Sequence, residues 1–102
     1  MTTSGYFILI EFDWPSSISK ELATLVRKFH DLVTEADWVD ETVAASGGIG
    51  GEYNSIWILH IENYAILDEF LNGKNPIAEN FNKWADQMAK MRMSVKEQVK
   101  FL

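Results

Sequence analysis

Apolar side chains fill Tyr6-Phe7-Ile8-Leu9-Ile10 without a break and return at Phe12, so both parities of a two-residue repeat are apolar. A strand of this kind is buried on both faces. Asp13-Trp14-Pro15-Ser16-Ser17 is a turn that supplies a helix cap, with Ser17 the expected N-cap. Ile18, Leu22, Leu25, Val26, Phe29, Leu32 and Val33 then recur at three- and four-residue steps, which predicts an amphipathic helix. Trp38–Ala45 alternates and reads as a strand. Ser46-Gly47-Gly48-Ile49-Gly50-Gly51 is a flexible connection, and Tyr53–Ile61 is a second near-continuous apolar strand. Asn63 is placed to cap a short helix over Tyr64–Leu71, closed by Asn72-Gly73. Asn75-Pro76 restarts the chain with a cap and a proline at the first helical position. Ile77, Phe81, Trp84, Met88 and Met91 follow as another helical stripe. Met93, Val95, Val99 and Phe101 alternate with Ser94, Lys96, Gln98 and Lys100, so the last strand has one apolar and one wet face.

The predicted order is β-α-β-β-α-β in a single domain spanning residues 1–102. Right-handed crossovers and a central hairpin predict an α+β, ferredoxin-like fold: a four-stranded antiparallel sheet with helices on one face. The first and third strands are central in that topology, and here they are the two that are apolar on both faces. Helices can cover one face only, so Phe7, Leu9, Ile56, Trp57, Ile58 and Leu59 cannot all point at them. The second apolar face needs a cover, and a second copy of the chain is the economical one.

Composition narrows the function classes. The chain has 47% apolar and 24% charged residues and no cysteine. Disorder, a disulfide scaffold and thiolate chemistry are therefore excluded. A net charge of −6 disfavours nucleic acid as a partner. The longest apolar run is too short for a membrane span, and Met-Thr-Thr-Ser-Gly lacks the character of a signal peptide, so a cytoplasmic location is expected. Charge is unevenly placed. Nine acids and no Lys or Arg lie between Phe29 and Gly73, whereas Lys74–Leu102 holds six Lys or Arg and three acids. The two segments either form ordinary solvated surface or face each other across an interface. On the second reading Asp37, Asp40 and Glu41 would approach Arg92, Lys96 and Lys100 of a partner copy.

The plan resembles the dimeric α/β barrel superfamily, small ferredoxin-like chains whose sheets pair into a barrel. The resemblance runs from Tyr6 to Phe101. Within it, the stretch from Gly50-Gly51 through Glu52-Tyr53-Asn54-Ser55-Ile56-Trp57-Ile58-Leu59-His60-Ile61 to Glu62-Asn63-Tyr64-Ala65-Ile66-Leu67 is similar to NIPSNAP-like members. The resemblance implies a homodimer. The superfamily includes cofactor-independent monooxygenases of antibiotic biosynthesis, lactone isomerases, haem-degrading enzymes and amino-acid-sensing domains, so fold alone does not set function. The Asn, Trp and Tyr set of the monooxygenases has no position-by-position match: Asn54 and Trp57 have opposite strand parity.

His60 is the leading catalytic candidate. It shares strand parity with Glu62, and as a base near neutral pH it could be oriented by Glu62 or Glu11. The alternative is a histidine bonded to backbone or a neighbour. Glu11 interrupts an apolar strand, which places it either at a wet strand end or inside a cavity. Trp57, Tyr53, Trp38 and Trp14 are candidate walls for a flat apolar or aromatic ligand, or else core and seam residues. No pair of histidines has metal-ligand spacing, and no cofactor is called for. The glycine run lacks the Lys-Ser/Thr and the helix of a phosphate loop. The expected function is binding, and on one reading monooxygenase-like or isomerase-like turnover, of a small apolar or aromatic molecule in a cavity between sheet and helices. The competing reading is a dimeric interaction or ligand-sensing module without chemistry.

Overall fold

A computed structural model describes residues 5–99. Its elements run β1 (Tyr6–Asp13), α1 (Lys20–Glu35), β2 (Asp40–Ser46), β3 (Ser55–Ile61), α2 (Ala65–Asn72), α3 (Pro76–Ala85) and β4 (Lys90–Glu97). The antiparallel sheet has the order β2-β3-β1-β4, so the two doubly apolar strands are central and β2 and β4 are the edges. This is the ferredoxin-like α+β arrangement that the pattern predicts.

Cross-strand partners share a face. Ile8, Ile10 and Phe12 stand beside Leu59, Trp57 and Ser55, and all six are buried under the helices. The opposite parity, Phe7, Leu9 and Glu11 beside His60, Ile58 and Ile56, lies on the helix-free face and is only half-buried. The molecule is a slab of 46 × 35 × 19 Å, thin because one helical layer covers one side of one sheet.

The core is aromatic. Trp57 stacks between Phe29 and Trp84, at centroid distances of 5.1 and 4.7 Å, while Phe12 meets Trp84 edge-on at 4.7 Å. Phe81 and Phe70 continue the cluster. The rings come from β1, β3 and all three helices, so helix and strand periods converge on one volume.

Several boundaries differ from the sequence reading. Ser19, rather than Ser17, caps α1 by accepting from the Leu22 amide at 3.1 Å. Both serines are competent caps, and Ile18, 55% exposed, turns out to lie outside the buried stripe. β2 starts at Asp40 rather than Trp38, and β3 at Ser55 rather than Tyr53. α2 runs Ala65–Asn72 with Tyr64 rather than Asn63 at its N-cap, although Asn63 Oδ1, just ahead of the helix, still accepts from the Ile66 amide. Asn75 caps α3 by accepting from Ala78 at 2.8 Å with Pro76 behind it, as expected. α3 stops at Ala85, and Met91 belongs to β4 rather than to the helical stripe. Three-residue steps from 88 to 91 and two-residue steps from 91 to 95 overlap there, so periodicity alone cannot place the break. β4 is also displaced from Met93–Phe101 to Lys90–Glu97; Phe101 and Lys100 lie outside the described residues.

Gly5 locks the end of the sheet. Its φ is +90°, and a Cβ there would fall 2.5 Å from the Ile61 carbonyl oxygen and 2.7 Å from His60 Nε2. Its own carbonyl accepts from the Gln98 amide at 3.0 Å. Gly5→Ala is expected to destabilise the fold by about 2–3 kcal/mol, from left-handed strain plus displaced β3 backbone. Equilibrium urea unfolding checks this, and a loss under about 0.5 kcal/mol would mean the turn relaxes freely.

Candidate functional site

The helix-free face carries the polar chemistry. Its rows follow the strand register. At one end Asp40, His60, Phe7 and Lys96 lie side by side, then Val43, Ile58, Leu9 and Ser94, then Ala45, Ile56, Glu11 and Arg92. The centre is therefore apolar, with charge on both edges and at one end.

His60 is half-buried on this face. Its Nε2 lies 2.9 Å from Gln98 Oε1, and its ring meets Phe7 edge-on at 5.1 Å. Glu62 is exposed just beyond the end of β3. Glu11 is four residues from Phe7 along β1, about 13 Å at the rise of a strand, so it does not stand beside His60. Glu11 instead pairs with Arg92, whose Nη2 and Nε both donate to Oε1, at 2.9 and 3.3 Å. That hydrogen bond, and then the carboxylate's charge, raises the Arg92 pKa above its ordinary value.

The aromatic candidates separate. Trp57 is 7% exposed and belongs to the core stack; the volume around it between sheet and helices is filled by Phe29 and Trp84. Trp14 is half-buried, edge-on to Phe12 and Trp84. Trp38 packs against the core just before β2. Tyr53 is the one that lies by the open face: Lys90 Nζ is 4.5 Å and the Arg92 guanidinium 5.2 Å from its ring centre.

Tyr53 and Glu11 line a cleft of about 210 Å³ together with Ala45, Ser46, Gly47, Asn54, Ser55 and Ile56. The glycine run borders a neighbouring cleft of about 300 Å³. The loop is held by Asp13 Oδ1, which accepts from the Asn54 amide at 2.8 Å, and by the Gly47 amide, which donates to the Asn54 carbonyl at 2.6 Å. The sequence reading placed Arg92 at an edge facing a partner copy and weighed Asn54 only against the monooxygenase set, and it placed neither beside Glu11. The signal for Arg92 was its strand parity, but register with Glu11 needs the β1–β4 pairing. Among the described residues, no cluster of three or more His, Asp or Glu could hold a metal ion.

Sheet order, one-sided helices and an apolar helix-free face together define a ferredoxin-like chain. Known structures with this fold agree. A hypothetical protein of Arabidopsis thaliana superposes with a TM-score of 0.72 at 11% identity, over 99% of this chain and 94% of its own. A dimeric protein of unknown function and ferredoxin-like fold from Bacteroides fragilis gives 0.65 at 10% identity, over 96% and 100%. The hydroxynitrile lyase from Passiflora edulis gives 0.69 at 10% identity, over 95% of each chain. These neighbours share the ferredoxin-like fold of the chain. At such identities the likeness carries the fold and no activity. No family model and no curated protein matches the chain. Among the described residues no helix is long and apolar enough to cross a membrane.

Proposed function

We propose that the chain acts in the cytoplasm as a homodimer closed through its open sheet face, and that the dimer binds a small apolar or aromatic molecule. The observation that carries this is the row-by-row apolar centre of a face that no helix covers. Phe7, Leu9, Ile56 and Ile58 stay half-buried, and Val43 is 41% exposed. The surface area points the same way. The chain exposes 6863 Å², where a compact monomer of its mass would expose roughly 5,900 Å². A dimeric neighbour of this fold from Bacteroides fragilis supports a homodimer.

Charge selects the geometry. A two-fold axis parallel to the strands sets the β2 edge of one copy over the β4 edge of the other, whereas an axis across the strands would set like edges together. Only the first brings acid to base. The pairs are fewer than the sequence alone suggests. Glu41 lies on the helix side, where His30 Nδ1 is 3.2 Å away, and Arg92 is engaged with Glu11 in its own chain. Asp37 precedes β2, and Lys100 lies outside the described residues. Asp40 and Lys96 share a row on opposite edges. Each such pair is worth about 0–1 kcal/mol, so apolar burial supplies affinity and charge sets register. Lys96→Glu is expected to weaken the dimer several-fold at low salt and less at high salt, with Asp40→Lys restoring it. Sedimentation equilibrium across salt checks this; an unchanged dimer in the single variant excludes the parallel axis.

Binding is better supported than turnover. His60 and Glu11 are two rows apart, and the space around Trp57 is packed. The dimer itself is tested by light scattering at micromolar protein, where a mass of one chain overturns the proposal.

A further inference from the structure

We infer that the cleft between the end of β1 and the glycine loop is a binding site for the hydroxyl group of a small phenol-like molecule. This rests on the reading above and names its ligand class and place. The cleft has an apolar floor, Ala45 and Ile56, and an aromatic wall, Tyr53. A benzene-sized ring fits such surroundings because they offer apolar area and an edge for ring contact.

The polar groups decide which ring. Both hydrogen bonds from Arg92 to Glu11 fall on Oε1, and among the described residues no hydrogen bond reaches Oε2. The carboxylate therefore keeps an acceptor for an incoming donor. Asn54 Oδ1 accepts from Ser55 Oγ at 2.8 Å, while among the described residues Nδ2 has no acceptor. The cleft thus offers one strong acceptor and one amide donor beside an apolar slot. A hydroxyl both donates and accepts, so a single hydroxyl can use Glu11 and Asn54 together. A carboxylate ligand would meet Glu11 with like charge. Arg92 compensates Glu11, which lowers the pull on an ammonium ligand. A plain hydrocarbon would desolvate both polar groups without replacing their water.

The test uses the full chain and two probes of nearly equal shape, p-cresol and toluene, titrated while backbone amides are followed by NMR. p-Cresol should shift Ala45, Gly47, Asn54 and Ile56 saturably and bind at least about tenfold more tightly than toluene, the margin of one hydrogen bond to a charged group. Glu11→Met, similar in length but without the acceptor, should bring the two probes to about equal affinity. Its unperturbed spectrum elsewhere would show an intact fold. If both probes bind at Ile56 equally in the parent chain, the hydroxyl site is wrong and the apolar-ligand reading stands. If shifts centre on Trp57 and the helices, the site is misplaced. If neither probe binds anywhere, the inference and the ligand reading both fall, while sedimentation still decides the dimer.

Discussion

Replacing Trp84 by alanine is expected to lower stability by about 3–5 kcal/mol, a large share of what holds a domain of this size. The side chain is fully buried and sits at the junction of both layers. It stacks on Trp57 from β3, meets Phe12 from β1 and leans on Phe81 from its own helix at 5.5 Å. Removing it opens a cavity whose walls belong to three separate elements, so no single shift can close it. A second feature sharpens the test. Trp84 Nε1 is buried with no hydrogen-bond partner among the described residues, and a buried orphan donor costs roughly 1–3 kcal/mol. Trp84→Phe removes that donor while keeping a ring, so its loss should stay under about 2 kcal/mol. Urea unfolding of the three proteins at one concentration checks both values, because dimerisation makes apparent stability concentration-dependent. An alanine variant within about 1 kcal/mol of the parent would contradict the packing described here.

Leu9→Glu is expected to convert the proposed dimer to a folded monomer, raising its dissociation constant by at least about a hundredfold. Leu9 lies in the middle row, beside Ile58 and Ser94, with its side chain on the face that no helix covers. In one isolated chain the substitution meets water, so the helix-side core and the circular dichroism spectrum should be unchanged. In the dimer it places two carboxylates in an apolar centre around the two-fold axis, with no base on this row to receive them. Light scattering across a concentration series reads the effect. A dimer of unaltered affinity would exclude the open face as the interface. Loss of helix signal would instead show that Leu9 supports the monomer fold.

Most of the fold was legible in the sequence because its signals are local. Both central strands announce themselves as doubly apolar runs. The α1 stripe needs only 3.6-residue geometry, and Asn75-Pro76 marks a helix start by chemistry contained in two residues. Where two local signals compete, the sequence was ambiguous: Ser17 against Ser19, and helix against strand around Met91. Both choices depend on which side chains reach the core, and Ile18 shows that apolar character alone does not decide it.

The site was less legible because its geometry is set by register. Strand parity put Ile56, Ile58 and His60 on one side of β3, and Phe7, Leu9 and Glu11 on one side of β1. That the two sides are the same face of the sheet came only from the β1–β3 register. Distance along the face did not follow from alternation either. Only the pairing of β1 with β3 and β4 brings Glu11 to Arg92, 81 residues away in the chain, and sets His60 by Phe7 and Gln98 instead. Trp57 illustrates the other limit. Its sequence context allowed core or cavity, and the rings of Phe29 and Trp84, from two separate helices, filled the space. The sequence by itself therefore determined the elements, their order and the need to cover a second apolar face, since these follow from periodicity and composition. Tertiary structure alone decided which charges meet, which aromatics are packed and where a cleft remains, because those depend on pairing between residues far apart in the chain.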